Sequence, residues 1–274
     1  MKKLFLTAAL ASAVAFANAQ TMTSKNGTPI LPESGDWSVG FDAVPVINYF
    51  GNLFNNTSSN TVSLNAFDNQ VITGKYMKDA STAYRVKLGI NFGSTTLKNN
   101  VSQDGATTAG ATVTDEWKNS NSGITLGAGI QKFRGKGRLQ GIYGAEAMIH
   151  FGSTTDTYTY GNAYSTTNQT PTSTTDFTSG ASSQAQFGRP TEVKHGSNFK
   201  FGINAFVGAE YFFAPKMSLG GEFGWGIKLS STGEGTDNTT FGSINSKSST
   251  GKASSFGIDT DPVGSGTISM NLYF

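Results

Sequence analysis

The sequence predicts an all-β chain that forms an eight-stranded antiparallel up-and-down transmembrane β-barrel. Three observations predict it. Segments of alternating apolar and polar residues recur along the chain, with most charges on one parity. The connections between them alternate between long and short. The closing segment, Gly266 to Phe274, carries Ile268, Met270, Leu272 and Phe274 on one face, with Thr267, Ser269 and Asn271 between them. A period of two marks a strand whose two faces meet different surroundings.

Composition agrees with a strand-built wall. Of 274 residues, 36% are hydrophobic and 14% charged, with 34 Gly and 20 Phe. That is an unusual balance for a soluble core packed from Leu, Ile and Val. Met1-Lys2-Lys3, the apolar run Leu4 to Phe16 and the small-x-small site Ala17-Asn18-Ala19 predict a signal peptide over 1–19, cut before Gln20. The run is shorter than the roughly 20 apolar residues of a membrane-spanning helix, and no later stretch approaches that length. A membrane would therefore be crossed by strands. The formal charge is +2, but losing Lys2 and Lys3 lowers the 20 basic residues to 18, equal to the 18 acidic ones. The mature chain is thus formally neutral and nucleic acid is not an expected partner. The absence of Cys removes disulfides and a lipid-anchored N-terminus.

Residues 20–35, with Pro29 and Pro32 and no periodicity, read as a periplasmic tail, and 36–274 as the barrel. The first strand places Trp37, Val39, Phe41, Ala43, Pro45, Ile47 and Tyr49 on one parity, and Pro45 marks a bulge or a weakened pairing. The second, about Leu64 to Met77, alternates cleanly only at Ile72, Gly74 and Tyr76. After the turn Lys78 to Ser81, Tyr84, Val86, Leu88, Ile90 and Phe92 oppose Arg85, Lys87, Gly89, Asn91 and Gly93. Turning Arg85 or Lys87 toward lipid near the midplane would cost about 2–4 kcal/mol each, which assigns the faces.

From Lys98 to Asn121 the alternation stops and a long loop is expected. Ile124, Leu126, Ala128 and Ile130 follow, then the turn Gly135-Lys136-Gly137, then Leu139 to Phe151 with Ile142 and Met148 breaking its polar face. The pair reads as a hairpin. Gly152 to Gly196, rich in Ser, Thr, Gly and Asn, is a second long loop. Phe199 to Phe213 forms the sixth strand, with Phe206 and Phe212 on its polar side. Beyond Ala214-Pro215-Lys216, Leu219 to Leu229 forms the seventh. Ser230 to about Gly264 is the last long loop, although Phe256 and Ile258 share the parity of Ile268 and extend the closing strand backward, interrupted at Pro262.

Eight strands joined long, short, long, short, long, short, long suit an outer-membrane barrel, with short periplasmic turns, long external loops and both termini periplasmic. A soluble lipocalin-like barrel turns its apolar residues inward instead. The leader, the eight segments, the alternating connections and the terminal Phe274 resemble the small outer-membrane barrel family that includes the OmpA transmembrane domain and OmpX. The resemblance covers Trp37 to Phe274. It implies a Gram-negative outer membrane and contact with lipid and lipopolysaccharide. It also implies that Ile268, Met270, Leu272 and Phe274 are read by the barrel assembly machinery. Because the chain stops at Phe274, no peptidoglycan-binding domain of the OmpA type is expected.

An eight-stranded barrel is only wide enough for side chains to fill it. Inward parity sets Asp42, Lys75, Arg85, Lys87, Glu146, Glu210 and Glu222 against one another as a lumen charge network, since buried charges must pair or stay wet. Tyr273 points inward at the periplasmic mouth. His150, with Glu146 four residues before it, lacks a compelling nucleophile, so catalysis is not expected. Asp259 and Asp261 could hold a calcium ion as hard oxygen ligands, but two acids in a loop are usually just solvated, and neither a metal nor a cofactor is expected. The expected function is structural and cell-surface interaction by a monomer, with an extracellular partner met through the long loops. A narrow porin-like channel for small solutes is the alternative, and a lipid-modifying enzyme the third reading.

Overall fold

A computed structural model describes residues 22–43, 71–259 and 267–274, without the side chains of Asp42, Val71, Asp259 and Thr267. The expected signal peptide, the end of the first expected strand, the start of the second, the connection between them and Pro262 lie outside the described residues. All regular structure described is β and antiparallel. The strands are β1 (Trp37–Asp42), β2 (Val71–Asp79), β3 (Thr82–Ser102), β4 (Thr112–Arg134), β5 (Leu139–Thr159), β6 (Thr172–Asp176), β7 (Ala181–Gln184), β8 (Arg189–Lys194), β9 (Asn198–Ala214), β10 (Met217–Thr232), β11 (Gly235–Phe241), β12 (Ile244–Thr250), β13 (Ala253–Asp259) and β14 (Thr267–Tyr273).

Eight of these pair in a closed circuit. β1 lies between β14 and β2, and the order continues through β3, β4, β5, β9 and β10 back to β14. The seam is tied at its base, where Trp37 and Phe274 exchange N–H···O bonds of 2.9 Å. The short connections 80–81, 135–138 and 215–216 gather at that same end, called here the turn end.

Among the described residues there are fourteen strands, eight of them in the circuit, and the other six correct the expectation of long loops. Lys98–Asn121 is not a loop: β3 and β4 run on through it in register, Lys98 opposite Glu116, and only 103–111 connect them. The stretches 152–196 and 230–264 likewise hold the end of β5 and the strands β6, β7, β8, β11, β12 and β13. Alternation reports a strand with one wet and one dry face. Where both faces are polar it vanishes, although Thr-rich chain still favours the extended state. β13 pairs with β10 above the stretch where β14 pairs with it, Ile258 opposite Ile227 and Ile268 opposite Gly221, so the two share one edge of β10.

The circuit is inverted relative to a soluble protein. Tyr84, Val86, Leu88, Ile90, Phe92, Leu126, Ile130, Val207, Trp225 and Ile227 face outward, while Lys75, Arg85, Gln131, Glu146, Glu210 and Asn271 are buried inside. Ile268, Leu272 and Phe274 face outward as well. The residues that broke the polar parity, Ile142, Met148, Phe206 and Phe212, are all buried in the interior.

Residues 22–35, read from sequence as a tail, are folded. Thr23 bridges Pro29 through a turn closed by Ser24 and Gly27, whose φ of +79° suits glycine. Ile30 accepts the Lys216 N–H at its carbonyl, 3.0 Å, and is 2% exposed. Lys216 is the one non-glycine among the described residues with positive φ, +55°. Its N–H goes to Ile30, its carbonyl accepts Tyr273 N–H at 2.8 Å, and its Nζ lies 2.8 Å from Asp36 Oδ2.

Candidate functional site

The interior of the circuit holds two linked charge clusters, placed by register. Arg85 and Glu146 both stand opposite Gly129, so a strand without a side chain separates them, and Nη2 and Oε2 approach to 3.6 Å across it. A Cβ at Gly129 would press on Ala145 O and the Glu146 side chain. In the first cluster Arg85 forks onto Glu222, Nη1 to Oε2 at 2.9 Å and Nη2 to Oε1 at 3.0 Å. Such bidentate pairs fix orientation as well as adding energy. Lys87 Nζ donates to Glu146 Oε1 at 2.7 Å and lies 3.6 Å from Glu222. The Arg85 guanidinium lies over the Phe206 ring, 4.2 Å from its centroid, which gives that parity-breaking Phe a place.

The second cluster sits nearer the turn end around Glu210, which is fully buried. Lys75 Nζ donates to its Oε2 at 2.8 Å, and Gln131 Nε2 to the same oxygen at 3.3 Å. Tyr273 Oη donates to Oε1 at 2.7 Å, and Ser218 Oγ also donates there. Lys75 is 4% exposed, so neither partner can exchange the other for water without a large cost. Three bases thus face three carboxylates, each within reach of an opposite charge.

Six of the seven residues expected in the network are brought together. Asp42 lies in β1 opposite Ser269, and its side chain is outside the described residues. Sequence reasoning left out Gln131, Ser218, Tyr273 and Phe206 as members. Inward parity was their available signal, but it does not say which row meets which charge. His150 Nδ1 meets Thr125 Oγ1 at 2.8 Å, while Glu146, four residues before it, is held by Lys87. Among the described residues no group of three His, Asp or Glu stands close enough to hold a metal ion.

Beyond the apolar band, away from the turn end, a second polar region forms. Asp156 accepts Trp117 Nε1 at 3.1 Å and Asn119 Nδ2 at 2.7 Å on Oδ1, and His195 Nε2 lies 2.6 Å from Oδ2. Burial pushes the Asp156 carboxyl up, but the His195 and Asn119 contacts outweigh it and hold the group below the usual carboxylate range. Arg189 lies between the rings of Tyr160 and Tyr164, 4.3 and 4.6 Å from their centroids, and donates to Ser173 Oγ at 2.7 Å. Burial lowers the Arg189 pKa, partly offset by Tyr164 and Tyr160. Asp115 accepts Gly161 N–H at 2.8 Å and Thr174 N–H at 2.7 Å. These contacts pin 160–176 over the interior.

At the outer tip, Phe187 is 92% exposed, and Phe241 and Ile244 border an open hollow of about 470 Å³ with Tyr164 and Gln169. All seven residues of β12 are exposed, and β11 is its one strand partner among the described residues. No protein-family model and no curated protein matches the chain.

Proposed function

We propose that this chain is an eight-stranded up-and-down transmembrane β-barrel of a bacterial outer membrane, exported by a signal peptide over 1–19, with its turn end and both termini in the periplasm. The observation that carries this reading is the inversion among the described residues, with apolar side chains outward around a paired interior charge network. From Leu139 to Phe151 the outward apolar parity of β5 covers about 40 Å along the strand, or about 30 Å at a tilt near 40°, close to the height of a lipid-facing band. Trp37, Tyr84, Tyr211 and Phe213 at one end and Phe92, Phe151 and Phe199 at the other stand where aromatic girdles belong. Ile268, Met270, Leu272 and Phe274 form the strand offered to the assembly machinery.

Its role is non-enzymatic: a monomeric membrane-anchored frame that presents the outer region to an extracellular partner, with lipid and lipopolysaccharide around the belt. The exposed apolar tip at Phe187, Phe241 and Ile244 supports a contact role, because exposed apolar clusters on otherwise polar surfaces mark interaction sites. Separate measurements test the two parts. A band that shifts on boiling and flotation of the refolded chain with phospholipid vesicles are expected of a membrane barrel. A chain that neither shifts nor floats sinks that part. Cell-binding that survives unchanged after 160–190 and 233–252 are trimmed rejects the surface role. The paired interior opposes the channel reading, and steady conductance of the intact chain in planar bilayers, altered by Arg85→Ala, would restore it.

A further inference from the structure

We infer that residues 22–35 are a built-in stopper that seals the turn end of the barrel. The inference rests on the membrane-barrel reading for its setting but not for its geometry. Below the Glu210 cluster the interior changes character: Met77, Ala83, Phe133, Ile142 and Phe212 are inward and buried, and Ile30 packs with them as the sixth apolar side chain. Met22 and Leu31 pack against the same group from beneath. An ion or small solute leaving Lys75 and Tyr273 toward the periplasm meets this apolar contact, and an apolar constriction carries a high barrier for charge.

The attachment is that of a folded insert. The segment bridges both sides of the β1–β14 seam, through Gly35 N–H to Met77 O at 2.8 Å and Ser34 Oγ to Lys78 O at 2.9 Å on one side. On the other it is held by Lys216, through its backbone N–H to Ile30 O and its ammonium on Asp36. Its own turn, Ser24 to Thr28, is self-bonded, so that part of the segment keeps its shape by itself. Just above this level the ring strands pair with one another, Trp37 with Tyr76 and Ser38 with Tyr273. Removing the segment therefore opens the mouth without unpairing the wall. The barrel is then closed twice, by the paired charges in the middle and by an apolar stopper below, and a path exists only when both give way.

The natural absence of Cys allows a single reporter, Ala83→Cys, buried beside Ile30 in the intact protein. Labelling by a small water-soluble thiol reagent is measured on the full folded chain, then with Ile30→Asp, then with 22–34 deleted. The expected result is slow labelling in the first and labelling faster by about tenfold or more in the other two, with the heat-shifted band retained in all three. Equal rates with the folded band retained overturn the proposal. Loss of the folded band in both altered chains overturns it as well, because the segment would then be part of the ring's own core. Vesicle flotation reads the membrane setting separately, since the labelling comparison stands whether or not the chain floats.

Discussion

Strands β3 and β4 pass through two regions that use opposite face rules in one unbroken register. Near the turn end the outward parity of β3 carries Tyr84, Val86, Leu88, Ile90 and Phe92, and the inward parity carries Arg85 and Lys87. Past Phe92 the outward parity carries Ser94, Thr96 and Lys98, while Leu97 and Val101 turn inward and Val101 is buried. β4 changes in step, with Val113 and Trp117 half-buried on the inward side and Ile124, Leu126 and Ile130 facing out. Nothing in the pairing shifts where the polarity reverses, since Phe92 stays opposite Ser122 and Gly93 opposite Asn121. A reversal of polarity without a reversal of geometry means that the surroundings change rather than the strand. On the proposed membrane reading the lower region is a wall in lipid and the upper an ordinary solvated sheet.

The comparison can be broken most forcefully through its ion pairs. Glu210→Ala leaves Lys75 buried without its charge partner and is expected to cost about 3–5 kcal/mol. Glu116→Ala removes the exposed Lys98–Glu116 contact of 3.2 Å above the band and is expected to cost about 0–1 kcal/mol. Denaturant unfolding from lipid vesicles measures both, and equal costs would contradict the division into two regions. Next in size is the outward face itself. Leu88→Arg, halfway between Tyr84 and Phe92, is expected to lose about 2–4 kcal/mol in a bilayer, whereas Thr96→Arg on the same parity should stay within about 0.5 kcal/mol.

The upper region can be sharpened without touching the lower. Arg189→Ala gives up two ring contacts and the Ser173 bond, a loss of about 1–2 kcal/mol that stays local. The expected outcome is faster proteolytic nicking within 160–190 with the heat-shifted band intact. Smallest is the acid response of Asp156. Its folded pKa lies below the ordinary value of 3.8, so its contribution is complete above that value and is lost as pH falls through the folded pKa. Hydrogen exchange around Trp117 and His195 should therefore quicken only below about pH 4, and Asp156→Asn should abolish that dependence.

Much of the lower region was legible in the chain. Tyr84 to Phe92 against Arg85 and Lys87 assigns both faces of a strand without any partner, because parity is a local property and lipid or core imposes it one residue at a time. Six network residues could be named from parity alone for the same reason. The upper strands were hidden because Lys98 to Asn121 is polar on both faces, and the inward Leu97, Val101, Val113 and Trp117 are too sparse to reveal a period. Ile30 was hidden more deeply, since the pair Ile30-Leu31 between two prolines has no periodicity and its burial depends on a mouth built by other strands.

Local chemistry along the chain is enough to say which residues share a face, where the short turns fall and that charges of both signs meet inside. Only the tertiary structure decided that Lys75 takes Glu210, 135 residues away, and Arg85 takes Glu222, 137 away. It also decided that 22–35 fills the turn end and that the outer stretches pair as sheet. Those outcomes depend on the stagger accumulated around a closed ring of strands. That stagger is a sum over every pairing in the ring and cannot be read from any one of them.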